Sequence, residues 1–291
     1  MMRQPLCVPY AWPPHTIATM RVPVLTYHAN SINGNDYTSN DHVALAKDLR
    51  VIHRTGLRIV PLARVVDVLL GQAPESAVEN AVAISFDDGS WFDWHDIDHP
   101  TCGPQRGFDG VLRDFAAETG AFVHATSFVI VSPNARAILD QTCLIGRGWW
   151  GDDWWPKAQR EGLIAIESHS WDHNHHTLSL TAQREQRRGT FRTIDTYADA
   201  DAEIRQASDW LDALLAPHRA SLFAYPYGES NTYLVEDYLP RHGSEHRLRA
   251  AFGTAPQPVE STSDRWLLPR HVCGLHWKTP DELERLLTDC N

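Results

Sequence analysis

Asp87 and Asp88 stand at the end of the apolar run Ala81-Val82-Ala83-Ile84-Ser85-Phe86 and are followed at once by Gly89. A buried strand that delivers two adjacent carboxylates onto a tight turn can begin a hydrolytic metal site. Asp-Asp-Gly is also ordinary turn chemistry, with Asp bonding nearby amides and Gly accepting positive φ. The segment Glu167-Ser168-His169-Ser170-Trp171-Asp172-His173 follows a second apolar run and sets two imidazoles four residues apart. In a chain with 16 histidines such a pair also arises by chance. Both clusters sit at the downstream ends of expected strands, which favours chemistry. One Asp and two His can hold a divalent cation with positions left open, and the spare Asp can take a proton from water.

A third apolar run leads into Phe223-Ala224-Tyr225-Pro226-Tyr227-Gly228. In order and spacing, Ser85-Phe86-Asp87-Asp88-Gly89, His169-Ser170-Trp171-Asp172-His173 and Tyr225-Pro226-Tyr227-Gly228 resemble the first three motifs of the polysaccharide deacetylase family, the NodB homology domain of the family 4 carbohydrate esterases. Val24-Leu25-Thr26-Tyr27-His28 resembles the strand ending in Tyr-His with which many members open. The similarity spans roughly residues 22 to 290.

The resemblance implies that Asp88, His169 and His173 hold one divalent metal ion, that Asp87 is the general base for a metal-activated water, and that the amide of Tyr227 donates to the oxyanion. Zinc is the expected ion, with cobalt and nickel as alternatives, because one Asp and two His suit several first-row metals. The chemistry is consistent: a cation and a backbone donor stabilise charge developing on a carbonyl oxygen, and a nearby cation favours the ionised form of Asp87. His28, Trp171 and Arg270 are expected to contact the substrate.

Two positions depart from the family pattern. The third motif usually begins with an Arg that helps to orient the base, and here that place is Ala224, so the tether for Asp87 must come from elsewhere. The Phe-Ala-Tyr-Pro-Tyr-Gly form resembles the subgroup that includes deacetylases of poly-N-acetylglucosamine. The family's last motif, Leu-x-His, carries the general acid, and the nearest candidates are Leu268-Pro269-Arg270-His271 and Gly274-Leu275-His276. His271 lies closer to the end of its expected strand and is the expected acid, with His276 as the alternative.

On this resemblance the chain is expected to be a metal-dependent hydrolase that removes N-acetyl groups from an amino sugar or polysaccharide. The alternatives are an amidohydrolase acting on another linear or cyclic amide and an O-acetyl carbohydrate esterase, and fold alone does not choose among them. The presence of Asp87 counts against mere carbohydrate binding. Seven of the 11 tryptophans lie in 90–106, in 146–155 or at Trp171. They read either as a lid's private core or as walls on which sugar rings stack, with Trp150 and Trp154 the expected stacking positions. His95, Asp96, Asp98 and His99 could bind a second ion, but capping and solvated turn chemistry is the preferred reading. His175 and His176 read as neighbours of the site rather than ligands.

A formal charge of −11 disfavours nucleic acid and anionic membrane as partners and leaves a carbohydrate or a small amide as the expected one, with the oligomeric state open. No run approaches the ~20 apolar residues of a membrane span. Pro5, Pro9, Pro13 and Pro14 break up the N-terminal segment, which lacks the apolar core of a signal peptide, and the five cysteines are widely spaced and read as reduced thiols. A cytoplasmic location is the default expectation, with export as the alternative.

Short apolar runs at 22–27, 57–62, 81–86, 122–131, 162–166, 221–224, 250–252 and 266–268 read as strands, and helical patterns at 41–54, 62–70, 108–119, 202–215 and 280–287 lie between them. Alternation of this kind gives an α/β fold with a parallel sheet, and catalytic candidates after several separate strands favour a barrel with its site at the carboxyl ends. The resemblance makes it a distorted (β/α) barrel of about seven strands, NodB-like and with Trp-rich loop insertions, occupying 22–291 after an N-terminal extension at 1–21.

Overall fold

The run Ala81–Asp87 is buried at every position, as a parallel strand covered on both faces requires. In the computed structural model, which describes residues 20–290, it lies in the middle of a curled sheet. The strands are β1 (Arg21–Val22), β2 (Val24–His28), β3 (Arg58–Ile59), β4 (Ala81–Asp87), β5 (Ile97–His99), β6 (Gly103–Gln105), β7 (Ala125–Val129), β8 (Ile164–Ser168), β9 (Leu222–Ala224), β10 (Ala250–Phe252), β11 (Val259–Glu260) and β12 (His271–Val272). Seven of them form the parallel path β10-β9-β8-β7-β4-β2-β12, with β3 added beside the start of β4. This is the distorted barrel expected from the sequence.

Alternation along the strands sorts side chains into two layers. Val24, Ala83, Phe128, Leu222, Ala224, Phe252 and Leu268 fill the inside of the barrel, where small residues on β4 leave room for the rings of Phe128 and Phe252 at a centroid distance of 5.8 Å. Leu25, Tyr27, Val82, Ile84, Phe86 and Ile166 face outward into a second core shared with the surrounding helices.

Those helices begin and end where local chemistry dictates. In α1 (Asp41–Thr55) the Asn40 side chain accepts from the amides of His42 and Val43, and Gly56, at φ 78°, stops the helix in the left-handed region. After it come α2 (Leu62–Leu69), α3 (Phe108–Thr119), α4 (Pro133–Thr142), α5 (Trp155–Glu161), α6 (Tyr197–Ala200), α7 (Gln206–Leu215), α8 (Leu239–Arg241), α9 (Gly243–His246) and α10 (Pro280–Asp289). In α10 the Thr279 hydroxyl caps the amide of Glu282, with Pro280 in the first turn. A π-type turn at Asp201–Arg205 joins α6 to α7.

One expected strand is corrected, and two segments take structure that the sequence left open. Residues 266–268 form no strand: Leu268 makes a single bridge to Phe252, and the strand comes later, at His271–Val272. The segment therefore spans the gap between the two sheet edges, with Leu268 donating to Ala251 O and Cys273 donating to Thr26 O, and Arg270 lies between these two points. Helices α4 and α5 and the β5–β6 hairpin occupy segments without a clear helical or strand period, and Pro at the first turn begins both helices. Of the N-terminal extension, residues 1–19 lie outside the described residues, and Arg21 already pairs with Glu260 in the β1–β11 ladder.

Candidate active site

β4 ends on Asp87, and the chain turns at Asp88 (φ 76°) and Gly89 (φ 67°). A side chain at Gly89 would place its Cβ 2.4 Å from Val129 Cγ1, so both the φ and the close approach demand glycine. The turn lets neighbouring carboxylates part company. Asp87 points into the barrel, while Asp88 Oδ1 lies 3.7 Å from His169 Nε2 and 3.8 Å from His173 Nε2. Asn30 Nδ2 donates to the other Asp88 oxygen at 2.9 Å.

The His loop follows β8 and is bent by positive φ at Ser170, His173 and Asn174, non-glycine residues for which this conformation costs on the order of 1 kcal/mol each. Surrounding bonds over-determine the bend. Asp172 accepts from the amides of Asn174 and Ala182, Ser170 Oγ accepts from His173 N, and Glu203, on the π-type turn, accepts from the amides of Trp171 and Asp172. His169 Nδ1 is bonded to Ala224 O at 2.8 Å, which leaves Nε2 directed at Asp88. Burial, followed by the neighbouring His169 and His175, lowers the pKa of His173 well below the ordinary imidazole value and keeps it in the neutral, ligating form.

Ligand atoms about 2.1 Å from a tetrahedral ion lie about 3.4 Å apart, and the donor atoms of Asp88, His169 and His173 converge to nearly that spacing, all within 4.8 Å of one another. No other such group occurs among the described residues. These three residues fit a divalent metal ion. They share a cavity of about 340 Å³ with Asp87, His28 and Tyr227. Two other clefts, of about 430 and 590 Å³ against α1, carry no comparable donor set. The second ion considered for the 95–99 loop has no donor group: Asp96 is paired with Arg106 and accepts from Gly107 N, and His99 Nδ1 accepts from Cys102 N.

Arg270 answers the absence of an Arg at 224. Expected to bind substrate, it is instead fully buried inside the barrel, with its guanidinium 2.7 and 2.9 Å from the two Asp87 oxygens. Its remaining contacts, to Gly253 O, Ser85 Oγ and the face of the Phe128 ring, leave it no face for a ligand. Burial alone would raise the pKa of Asp87, but Arg270 and then His169 hold it well below the usual carboxylate range, so it is ionised at neutral pH.

The other candidates divide. His28 is the register partner of Asp87 on the adjacent strand and lines the cavity. Tyr227, at φ 60°, sets its ring edge-on to His173 at 4.4 Å, and its amide has no acceptor among the described residues, as an oxyanion donor requires. Trp171 does not line the cavity; it packs edge-to-face on Trp210 at 5.7 Å. Trp154 is buried against Trp94 and Trp155, so the private core wins for most of the tryptophans, and Trp150 alone among them reaches the cavity.

His271 is displaced from the acid role. Alternation along β12 turns Arg270 and Val272 inward and His271 outward, where its Nε2 lies 4.0 Å from Cys290 Sγ at the end of α10. Nor does His276 reach the cavity; its Nδ1 accepts from Val272 N. Burial, then His276, lowers the pKa of His271 to about 4. The folded state therefore binds fewer protons than the unfolded one between about pH 6.5 and 4, and stability falls as pH drops through that window. His271→Leu should flatten this decline by on the order of 2 kcal/mol in denaturant titrations at pH 7 and 5; parallel declines in variant and parent would show that His271 does not titrate there.

The chain matches the family model described as polysaccharide deacetylase over residues 75–241, more than half its length. No curated protein matches it. Similar solved structures include the Streptococcus pyogenes deacetylase PplD in complex with acetate (15% identity, 93% of this chain and 99% of that one, TM-score 0.61). IcaB from Ammonifex degensii (17% identity, 93% and 97% coverage, TM-score 0.54) and a de-N-acetylase from Aggregatibacter actinomycetemcomitans (14% identity, 86% and 94%, TM-score 0.57) share the fold as well. With its three motifs placed at the carboxyl ends of one curled parallel sheet, the chain belongs to the polysaccharide deacetylase family and is a hydrolytic deacetylase.

Proposed function

We propose that this protein hydrolyses an N-acetyl group on an amino sugar, using one divalent ion, zinc by preference, held by Asp88, His169 and His173. The observation that carries the reading is a buried carboxylate, Asp87, kept ionised and latched by Arg270 beside a convergent Asp-His-His donor set. Such an ion, when bound, polarises the acyl carbonyl and lowers the pKa of a neighbouring water. Asp87 takes the proton of the attacking water, and the Tyr227 amide receives the charge that develops on the carbonyl oxygen. Departure of an amine requires a proton on its nitrogen. His28, opposite Asp87 and lining the same cavity, is our candidate to give it, since a ring N–H can pass a proton to a leaving nitrogen. The cavity, about 340 Å³, is at the small end of ligand sites and fits a single acylated sugar unit.

Acetate release from N-acetylated amino-sugar oligomers should be abolished by a chelator and restored by zinc. Release confined to O-acetyl esters, or turnover of cyclic amides alone, would replace this substrate class with another. In the same assay His28→Ala should slow amides more than activated esters, whose leaving groups need less protonation. Equal losses on both would remove His28 from the donor role.

A further inference from the structure

The Asp88 carbonyl accepts two hydrogen bonds, from Ile130 N at 3.3 Å and from the indole Nε1 of Trp150 at 3.1 Å. Asp88 is held in the left-handed region, where an unsupported aspartate has little reason to stay, and its side chain belongs to the proposed metal-binding set. Trp150 is itself fixed. Its carbonyl accepts from Arg136 Nη1 at 2.7 Å, and Arg136, buried on α4, is paired with Asp152 at 2.6 Å and lies 4.6 Å over the Trp155 ring. Trp91 N, from the other tryptophan-rich loop, donates to Trp149 O and joins the two insertions.

From this chain of contacts we infer that Trp150 is a positioning residue for the metal ligand Asp88, with its indole N–H fixing the peptide that aims the carboxylate, and that Arg136 holds Trp150 in place. The inference rests on the reading of Asp88, His169 and His173 as a metal site. It gives the tryptophan-rich insertion a task apart from sugar stacking: to hold the ligand loop from behind, as outer-shell partners of metal ligands do.

The test is zinc affinity of the full-length apoprotein by competition with a chromophoric chelator. Trp150→Phe keeps an aromatic ring in the cavity and removes the N–H, and should weaken zinc binding about 10- to 100-fold. Trp154→Phe, a buried ring change away from the ligand loop, should leave the affinity within twofold of the parent. At saturating zinc the KM of Trp150→Phe should stay near the parental value. Unchanged zinc affinity together with a raised KM would overturn the inference and leave Trp150 as a substrate wall. Should Trp150→Phe fail to fold, Arg136→Met, which loosens the same indole, must itself weaken zinc binding, and parental affinity in that variant would overturn the inference equally. A parent that binds no zinc would instead overturn the proposed metal site.

Discussion

Asp87→Asn is expected to keep the metal ion and lose turnover by ~100- to 10,000-fold, the usual contribution of a general base. The two effects separate because Asp87 lies beside the donor set without belonging to it: its Oδ2 is 4.0 Å from His169 Nε2, while Asp88 supplies the converging carboxylate. The amide of Asn fits the same space but cannot accept the proton of the attacking water. Stoichiometric zinc with near-parental turnover in this variant would remove Asp87 from the base role; loss of zinc would show that it serves as a ligand.

Arg270 should give the next largest effect, and by a different route. Arg270→Lys replaces a two-point contact with a point charge and leaves Asp87 free to rotate, a displacement that typically costs about 100-fold in rate. Arg270→Met abandons the buried carboxylate altogether, and breaking such a pair destabilises by about 3–5 kcal/mol. The pH dependence carries the sign. In the parent the pKa of Asp87 is depressed, so the stability of the pair is present above the unfolded carboxylate pKa of ~3.9 and is lost only as pH falls through the lower folded value. Without the guanidinium, burial dominates, the pKa rises, and the acid limb of the rate profile should move toward neutrality. A variant that loses rate with no movement of that limb would mean that Arg270 does not act through Asp87.

The convergent donor set of Asp88, His169 and His173 was legible in the sequence because strand ends and turns are written locally. An apolar run, two carboxylates and a glycine state both the position and the geometry at Asp88, and the spacing of His169 and His173 does the same in the loop after β8. The helices with a clear apolar period were legible for the same reason, to within a residue or two in α1, α2 and α3. The tether of Asp87 was not, since Arg270 is 183 positions away and no local pattern couples them. Its segment was nonetheless within reach of an alternation argument. A β12 that begins at His271 puts that side chain on the face opposite to Val272, and a candidate acid cannot share the outer face with α10. The tryptophans show the remaining difficulty: stacking walls and private cores have the same composition, and only the packing of Trp154 on Trp94 separates them from Trp150.

The strip between Leu268 and Cys273 joins the two edges of the sheet, through the amides of Leu268 and Gly253 at one end and through the short β12–β2 ladder and the Cys273 amide at the other. Arg270 is carried by that strip, so the local breathing that frees those amides to exchange with solvent also withdraws the guanidinium from Asp87. Hydrogen-exchange protection at the seam and the hold on Asp87 are then expected to fall together, as two readouts of one local opening.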